Sequence, residues 1–248
     1  MTYAELLNTT AVSKSRNMEE AYKIQILNTA QNMIWRRFDW RWTLDTLPSF
    51  YLIPRKQDYG APIVAVPADW DGLRQARLCF WSPGSEPRKI PLSVQRDLES
   101  TGTMGVPNSI SYQADTASFR VHPRPHDSCA APRYFIDGTY KKTPTAVTLA
   151  NYQTSSIPGP SQFTDKYADM WRQVINWAYY SYSQDPKAGG VQLMPSGIPN
   201  YYGALGEAMA AMQMAAGEEG LIQGEPFIHP AEALLITGGP NRAPYNPF

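Results

Sequence analysis

The stretch MEEAYKIQILNTAQNMIWRRFDW, Met18 to Trp40, decides how the rest of the chain is read. Its apolar residues Ala21, Ile24, Leu27, Ala30, Ile34 and Phe38 recur at intervals of three and four, the period of one face of an α-helix. Tyr22, Ile26 and Met33 widen that face, so the spacing predicts a helix from Met18 to Phe38 buried on more than one side. Glu19 and Glu20 stand in its first turn and Arg36 and Arg37 in its last, as the helix dipole favours. The Arg-Arg-x-Asp-Trp string then reads as the anchor of the helix on a following sheet, with Trp40 entering the core.

Working outward, Thr2 to Leu7 reads as a short helix, with Thr2 as N-cap and Glu5 completing a capping box. Beyond Trp40 the punctuation changes. Short apolar or alternating runs are separated by Pro, Gly, Asp and Ser, which predicts strands at 42–47, 50–53, 63–66, 76–81, 89–92, 109–113, 118–122 and 133–141. Phe119 and Val121 share one face of their strand, and Tyr134, Ile136 and Tyr140 one face of theirs. Ser93 to Ser100 reads as a helical turn inside this region. Many short strands at this spacing suggest an antiparallel sandwich or small barrel.

Helical periodicity returns after a Ser/Pro/Gly linker at 151–160. One helix is predicted over 162–183, with Phe163, Tyr167, Met170, Val174, Trp177 and Ser181 along one face. Another is predicted over 200–219, rich in Ala and Met, with Leu205, Met209, Met212 and Ala216 aligned and Gly220 as its stop. Between them, 185–199 reads as a Gly- and Pro-rich loop whose Val191, Leu193 and Met194 look exposed. The expected class is α+β: a helical bundle from 1–39 and 161–220, an inserted antiparallel β-sandwich or barrel-like region at 40–152, and an extended tail at 221–248.

The tail is broken by Gly and Pro yet keeps Phe227, Ile228, Leu234, Leu235, Ile236, Tyr245 and Phe248. A disordered tail normally lacks such residues. The segment from Pro226 to Phe248 is therefore read as docking on a partner or wrapping its own domain.

Composition narrows the function. The 248 residues carry 22 basic and 22 acidic side chains, so no electrostatic footprint for general nucleic-acid binding exists. No apolar run approaches the roughly 20 residues that span a bilayer, and Met1 to Glu5 does not read as a signal peptide. Two cysteines, Cys79 and Cys129, read as reduced thiols of a cytoplasmic protein. The unusual counts are 22 Pro, 15 Tyr and 7 Trp, and Tyr and Trp are enriched where proteins meet.

Chemistry is sparse. There is no phosphate-binding glycine loop and no Gly-x-Ser-x-Gly elbow. His122, His126 and Cys129 have the donor types of a zinc site, but Pro123 and Pro125 make the segment a stiff turn. A hydrolase would have to use Asp69, Asp71 or that histidine pair, and the two aspartates read instead as a turn or cap after Pro67. No cofactor and no enzymatic activity is expected. An aromatic-rich β region also admits a β-sandwich carbohydrate- or protein-binding module.

Taken in order, the motifs resemble a known family. Trp35-Arg36-Arg37-Phe38-Asp39-Trp40 closes a helix. Tyr51-Leu52-Ile53-Pro54 and Val64-Ala65-Val66-Pro67-Ala68-Asp69-Trp70 follow. Thr103-Met104-Gly105-Val106-Pro107 leads to Ser111-Tyr112. Then come Phe119-Arg120-Val121-His122-Pro123-Arg124-Pro125, Arg133-Tyr134-Phe135 and the helix led by Phe163 and Tyr167. This order over residues 18 to 180 resembles the head–tail connector (adaptor) proteins of tailed bacteriophages, the group that includes the tail tubular protein of short-tailed phages. The long Ala/Met helix and the tail depart from the pattern.

The resemblance implies a non-enzymatic virion protein that forms a homo-oligomeric ring, commonly of about twelve copies, beneath the portal. It implies a helical bundle and tail facing the portal protein, a β-rich part facing the next tail component (nozzle or tail tube protein), and DNA passing through the lumen without sequence readout. On that basis Pro226, Phe227, Ile228, Leu234, Leu235, Ile236, Tyr245 and Phe248 are expected at the portal, with Val191, Leu193 and Met194 as a second contact.

Overall fold

The computed structural model describes residues 1–15, 18–81, 86–100, 102–129 and 133–221. The described residues form an α+β protein of two compact units, one of Met1–Trp42 together with 144–221, the other of Thr43–Thr143.

Among the described residues four α-helices build the first unit: α1 (Tyr3–Leu7), α2 (Glu20–Arg37), α3 (Asp165–Tyr182) and α4 (Gly203–Glu218). The capping box at Thr2 is formed. Its hydroxyl accepts the Glu5 N–H at 3.2 Å, and its own N–H donates to Glu5 Oε2 at 2.7 Å. α2 buries Ile26, Leu27, Ala30, Met33, Ile34 and Trp35, whereas Ala21 and Tyr22 in its first turn are exposed. The apolar period thus begins one turn before burial does. Trp40 enters the core of this helical unit, and its Nε1 donates to the Ile34 carbonyl at 2.7 Å.

α3 buries Tyr167, Met170, Val174 and Trp177 as the spacing predicts. It also buries Trp171, Ile175 and Ala178, so more than one stripe is covered. α4 turns alanines and methionines inward, Ala204, Ala208, Ala211 and Ala215 beside Leu205, Met209, Met212 and Ala216. It ends at Gly220, whose φ of +67° is the left-handed conformation that glycine adopts most readily. The segment from Pro144 to Ile157 is tied to α2 by polar side chains. Asn28 exchanges two bonds with the Val147 backbone, each at 2.9 Å, and buried Gln31 donates to the Thr145 carbonyl at 2.8 Å while accepting the Tyr3 hydroxyl.

The second unit holds β1 (Leu44–Tyr51), β2 (Asp58–Tyr59), β3 (Trp70–Phe80), β4 (Arg88–Gln95), β5 (Met104–Gly105), β6 (Ser109–Gln113), β7 (Ser118–His122), β8 (Arg124–Pro125) and β9 (Tyr134–Lys142). Seven of them make one large sheet in the order β1-β9-β3-β4-β6-β7-β2, and β5 and β8 pair separately. The sheet curls. Phe50 on β1 lies 5.9 Å from Phe119 on β7 and 5.1 Å from Tyr59 on β2, although β1 and β2 are the two ends of the strand order. Phe119, Val121, Ile136 and Tyr140 face this core, as the two-residue alternation predicts.

Three local expectations differ from the structure. The runs 42–47 and 50–53 make one strand interrupted by a register shift between Leu47 and Phe50. Residues 63–66 form no strand, because Ile63 and Val64 close a turn on the Gly60 carbonyl, and that turn buries Val64. Ser93 starts no helix. Ser93–Gln95 pair with Ser109–Ser111 in the sheet's parallel ladder, and sheet pairing overrides the local capping signal.

Candidate interaction surface

The loop read at 185–199 carries a hairpin. β10 (Gly190–Leu193) pairs with β11 (Pro199–Tyr202), with Val191 opposite Tyr201 and Leu193 opposite Pro199. Its base is set by two glycines. Gly189 (φ +72°) and Gly203 (φ +65°) approach so closely that a Cβ on Gly189 would lie 1.8 Å from the Tyr202 carbonyl oxygen, and one on Gly203 would lie 2.7 Å from the Gly189 Cα. Any other residue at either position would push the hairpin off α4. The Met194 N–H donates to the Ile198 carbonyl at 3.0 Å and the Gly197 N–H to the Met194 carbonyl at 2.8 Å, which closes the tip.

This mounting divides the apolar residues of the hairpin. Val191 and Tyr201 are half-buried against the helical core. Leu193, Met194, Ile198 and Tyr202 are 52%, 49%, 48% and 51% exposed. From Ala188 to Gly206 the sequence has no charged side chain, so the hairpin offers apolar surface without a charge to solvate it. Of the predicted secondary contacts, the structure places Leu193 and Met194 near the outer end and Val191 on the packed base. Ile198 and Tyr202 escaped the sequence reading. The signal was present in Met194-Pro195-Ser196-Gly197-Ile198, a turn sequence flanked by apolar runs, which is hairpin punctuation. The tail residues Pro226, Phe227, Ile228, Leu234, Leu235, Ile236, Tyr245 and Phe248 lie outside the described residues.

Two of the residues weighed for catalysis or metal binding, Asp69 and Cys129, have structural partners. Asp69 accepts the Tyr140 hydroxyl at 2.8 Å, and burial together with that carboxylate pushes the phenol up to about 12. Asp71 is exposed at the sheet margin. Cys129 is buried with its Sγ 3.9 Å from the Gly105 carbonyl, while His126 contacts Ser128 at 3.3 Å. Among the described residues no three of His, Cys, Asp and Glu are gathered to hold an ion. Burial raises the Cys79 thiol to about 11, so it stays protonated. No helix of the described residues is long and apolar enough to cross a membrane.

The aromatic excess goes mainly inward. Trp35, Trp40, Trp171 and Trp177 are buried, Trp42 and Trp70 are half-buried, and Trp81 alone of the seven is exposed.

No curated protein matches the chain. A family model described as SU10 adaptor protein matches residues 1–223, which takes in both structural units and the hairpin. The chain therefore belongs to the SU10 adaptor protein family, structural phage adaptors rather than enzymes.

Proposed function

We propose that the chain is one subunit of a ring of twelve copies that sits beneath the portal at the head–tail junction of the virion, joins it to the next tail component, and forms part of the DNA conduit. The observation that carries this reading is the family match across residues 1–223. The helical unit engages the portal and the β unit faces the nozzle or tail tube protein. In a closed ring each contact is heterologous, so two different surfaces of one subunit must match. A formally neutral chain suits a conduit, because strong phosphate contacts would hinder passing DNA.

The portal contact has two parts. The first is the segment Pro226 to Phe248, anchored by Phe227, Ile228, Leu234, Leu235, Ile236, Tyr245 and Phe248, which is apolar although irregular in sequence. The second is the hairpin tip with Leu193 and Met194, backed by Val191. Assembly takes place in the host cytoplasm. The test is native mass of the chain alone and mixed with the portal ring of its virus. A ring-sized complex formed with the portal is expected, and deleting 226–248 should abolish it. A chain that ignores the portal at micromolar concentration overturns the reading.

A further inference from the structure

The large sheet has a second face, turned away from its core. In β9, Ile136 and Tyr140 point into the β core, so Phe135 and Asp137 stand on the opposite face. The register sets their neighbours. Phe135 lies opposite Tyr51 on β1 and Cys79 on β3, and Cys79 lies opposite Lys89 on β4. One step further the Trp81 N–H donates to the Arg133 carbonyl at 2.8 Å, which puts Trp81 and Arg133 on this same face.

Two features of this face point to a partner. The first is apolar. The Tyr51 and Phe135 rings meet edge-on at 6.0 Å, and Tyr51 and Trp81 are 53% and 40% exposed. Trp and Tyr are the side chains that most often anchor protein interfaces. The second feature is charge. Arg77 Nε lies 2.9 Å from Asp137 Oδ1 and Lys89 Nζ 3.3 Å from Oδ2, so one carboxylate holds two cations. Exposed Arg133 adds a third, and among these residues positive charge exceeds negative. Because Asp137 fixes Arg77 and Lys89 before any partner arrives, little ordering is left for the binding step.

Charge also selects the class of partner. A run of nucleic-acid phosphates would meet the Asp137 carboxylate between its cations and be repelled. A protein surface can place single carboxylates opposite Lys89 and Arg133 and apolar side chains opposite Tyr51 and Trp81. The sheet margins offer less. β1 ends the strand order and carries Pro48, which has no N–H for an added strand, and β2 at the other end is two residues long.

We infer that this face, centred on Tyr51, Trp81 and Phe135 and flanked by Lys89 and Arg133, docks an acidic, apolar-centred protein surface of the next tail component. The inference rests on the proposed position of the β unit against that component. It adds which face of the unit makes the contact and what chemistry the partner brings to it.

The full-length chain tests this with Y51A/W81A and, separately, R133E. Binding to the nozzle or tail tube protein of the same virus is measured over a range of salt concentrations, with portal binding as the control. Y51A/W81A is expected to weaken binding to the tail protein about a hundredfold. R133E is expected to weaken it about tenfold, mainly through slower association, and to reduce its salt dependence. Both variants should bind the portal as the wild type does. Hydroxyl-radical footprinting gives a second readout that needs no variant. Tyr51 and Trp81 should be oxidised in the free chain and in portal–adaptor particles without the tail protein, and protected in complete virions. Protection already present without the tail protein overturns the inference, because the face would then meet another copy of the chain or the portal. So does oxidation that persists in complete virions, or wild-type tail-protein binding by both variants. Protection of the free chain by a DNA oligonucleotide or a neutral oligosaccharide overturns it as well, by assigning the face to another class of ligand. A wild-type chain that binds neither portal nor tail protein overturns the proposed function, and the inference falls with it.

Discussion

Trp171 in the helical unit and Phe119 in the β unit are both inaccessible to solvent, but their surroundings arise differently. Trp171 sits in mid-helix with the Tyr3 ring edge-on at 6.0 Å and its Nε1 donating to the Pro158 carbonyl at 3.2 Å. Around it are residues that repeat along α2, α3 and α4. Phe119 instead meets Phe50, Trp70 and Tyr112, one ring each from β1, β3 and β6, with centroids at 5.9, 5.3 and 5.6 Å. The helical core is a set of continuous stripes, and the β core is a stack of single contributions from strands far apart in the chain. Replacing either ring with Ala removes a large buried side chain and should cost about 3–5 kcal/mol. Hydrogen exchange separates the two cases. Trp171→Ala is expected to lower protection within 1–42 and 144–221 and Phe119→Ala within 43–143. A loss shared by both units in either variant would break the comparison and make the chain one cooperative block.

The same contrast explains what the sequence disclosed. A stripe such as Leu205, Met209, Met212 and Ala216 is visible locally, because each residue's partners sit three or four positions away on the same helix face. The end of α4 at Gly220 and the Thr2 capping box were legible for the same reason. Strand order was not. β1 neighbours β9 and β4 neighbours β6 through ladders that span long separations, and no local pattern encodes them. Val64 looked like a strand residue because a buried turn and a buried strand need the same apolar side chains. At the candidate surface, Leu193 and Met194 were readable as apolar residues in a Gly/Pro-rich stretch. The hairpin that carries them required the Gly189–Gly203 approach, which is a tertiary fact. The contacts of Glu218 and Glu219 at the end of α4 were hidden altogether, since their partners at Arg41, Thr164 and Tyr167 come from two distant segments.

Gly138 sharpens the β side of the comparison. It sits in the interior strand β9, opposite Leu47 on one side and Ala76 on the other, with register shifts near it in both neighbours. A Cβ there would lie 2.5 Å from the Gln75 carbonyl oxygen, a backbone atom that cannot rotate away. Gly138→Ala should therefore cost about 3 kcal/mol, measured as a shift in the urea midpoint. A neutral result would mean the curled sheet yields at this point and is less fixed than the helical core.

Asp137 tests how far polar contacts on the outer face of the sheet support that core. Its carboxylate lies 2.9 Å from Arg77 Nε and 3.3 Å from Lys89 Nζ. Burial pulls its pKa up, but the hydrogen bonds from Arg77, Cys79 and Lys89 outweigh that, and the net shift is downward. A carboxyl lowered in the folded state contributes stability that is present above the ordinary value near 4 and is lost as pH falls through the lower folded value. Stability of the β unit should therefore decline on acidification below about pH 4. Asp137→Asn is expected to cost about 2 kcal/mol at neutral pH and to flatten that decline. An unaltered acid limb in the variant would move the pH dependence to other carboxylates.

The smallest effect belongs to Thr2, and it separates a local signal from its tertiary use. Thr2→Ala removes the hydroxyl that caps α1 and should cost about 1 kcal/mol. Were the cap purely local, only the five-residue helix would fray, because a helix that short has little stability of its own. In the structure, however, Thr2 also bridges to Ser156, and the Ile157 N–H donates to the Met1 carbonyl at 3.1 Å. Tyr3 and Leu6, fixed by the same turn, are buried in the core that holds Trp171. The exchange rates of Ser156 and Ile157 amides should therefore rise along with those of Leu6 and Leu7. A rise confined to α1 would show that the helical unit, for all its continuous stripes, holds its first turn only by local bonds.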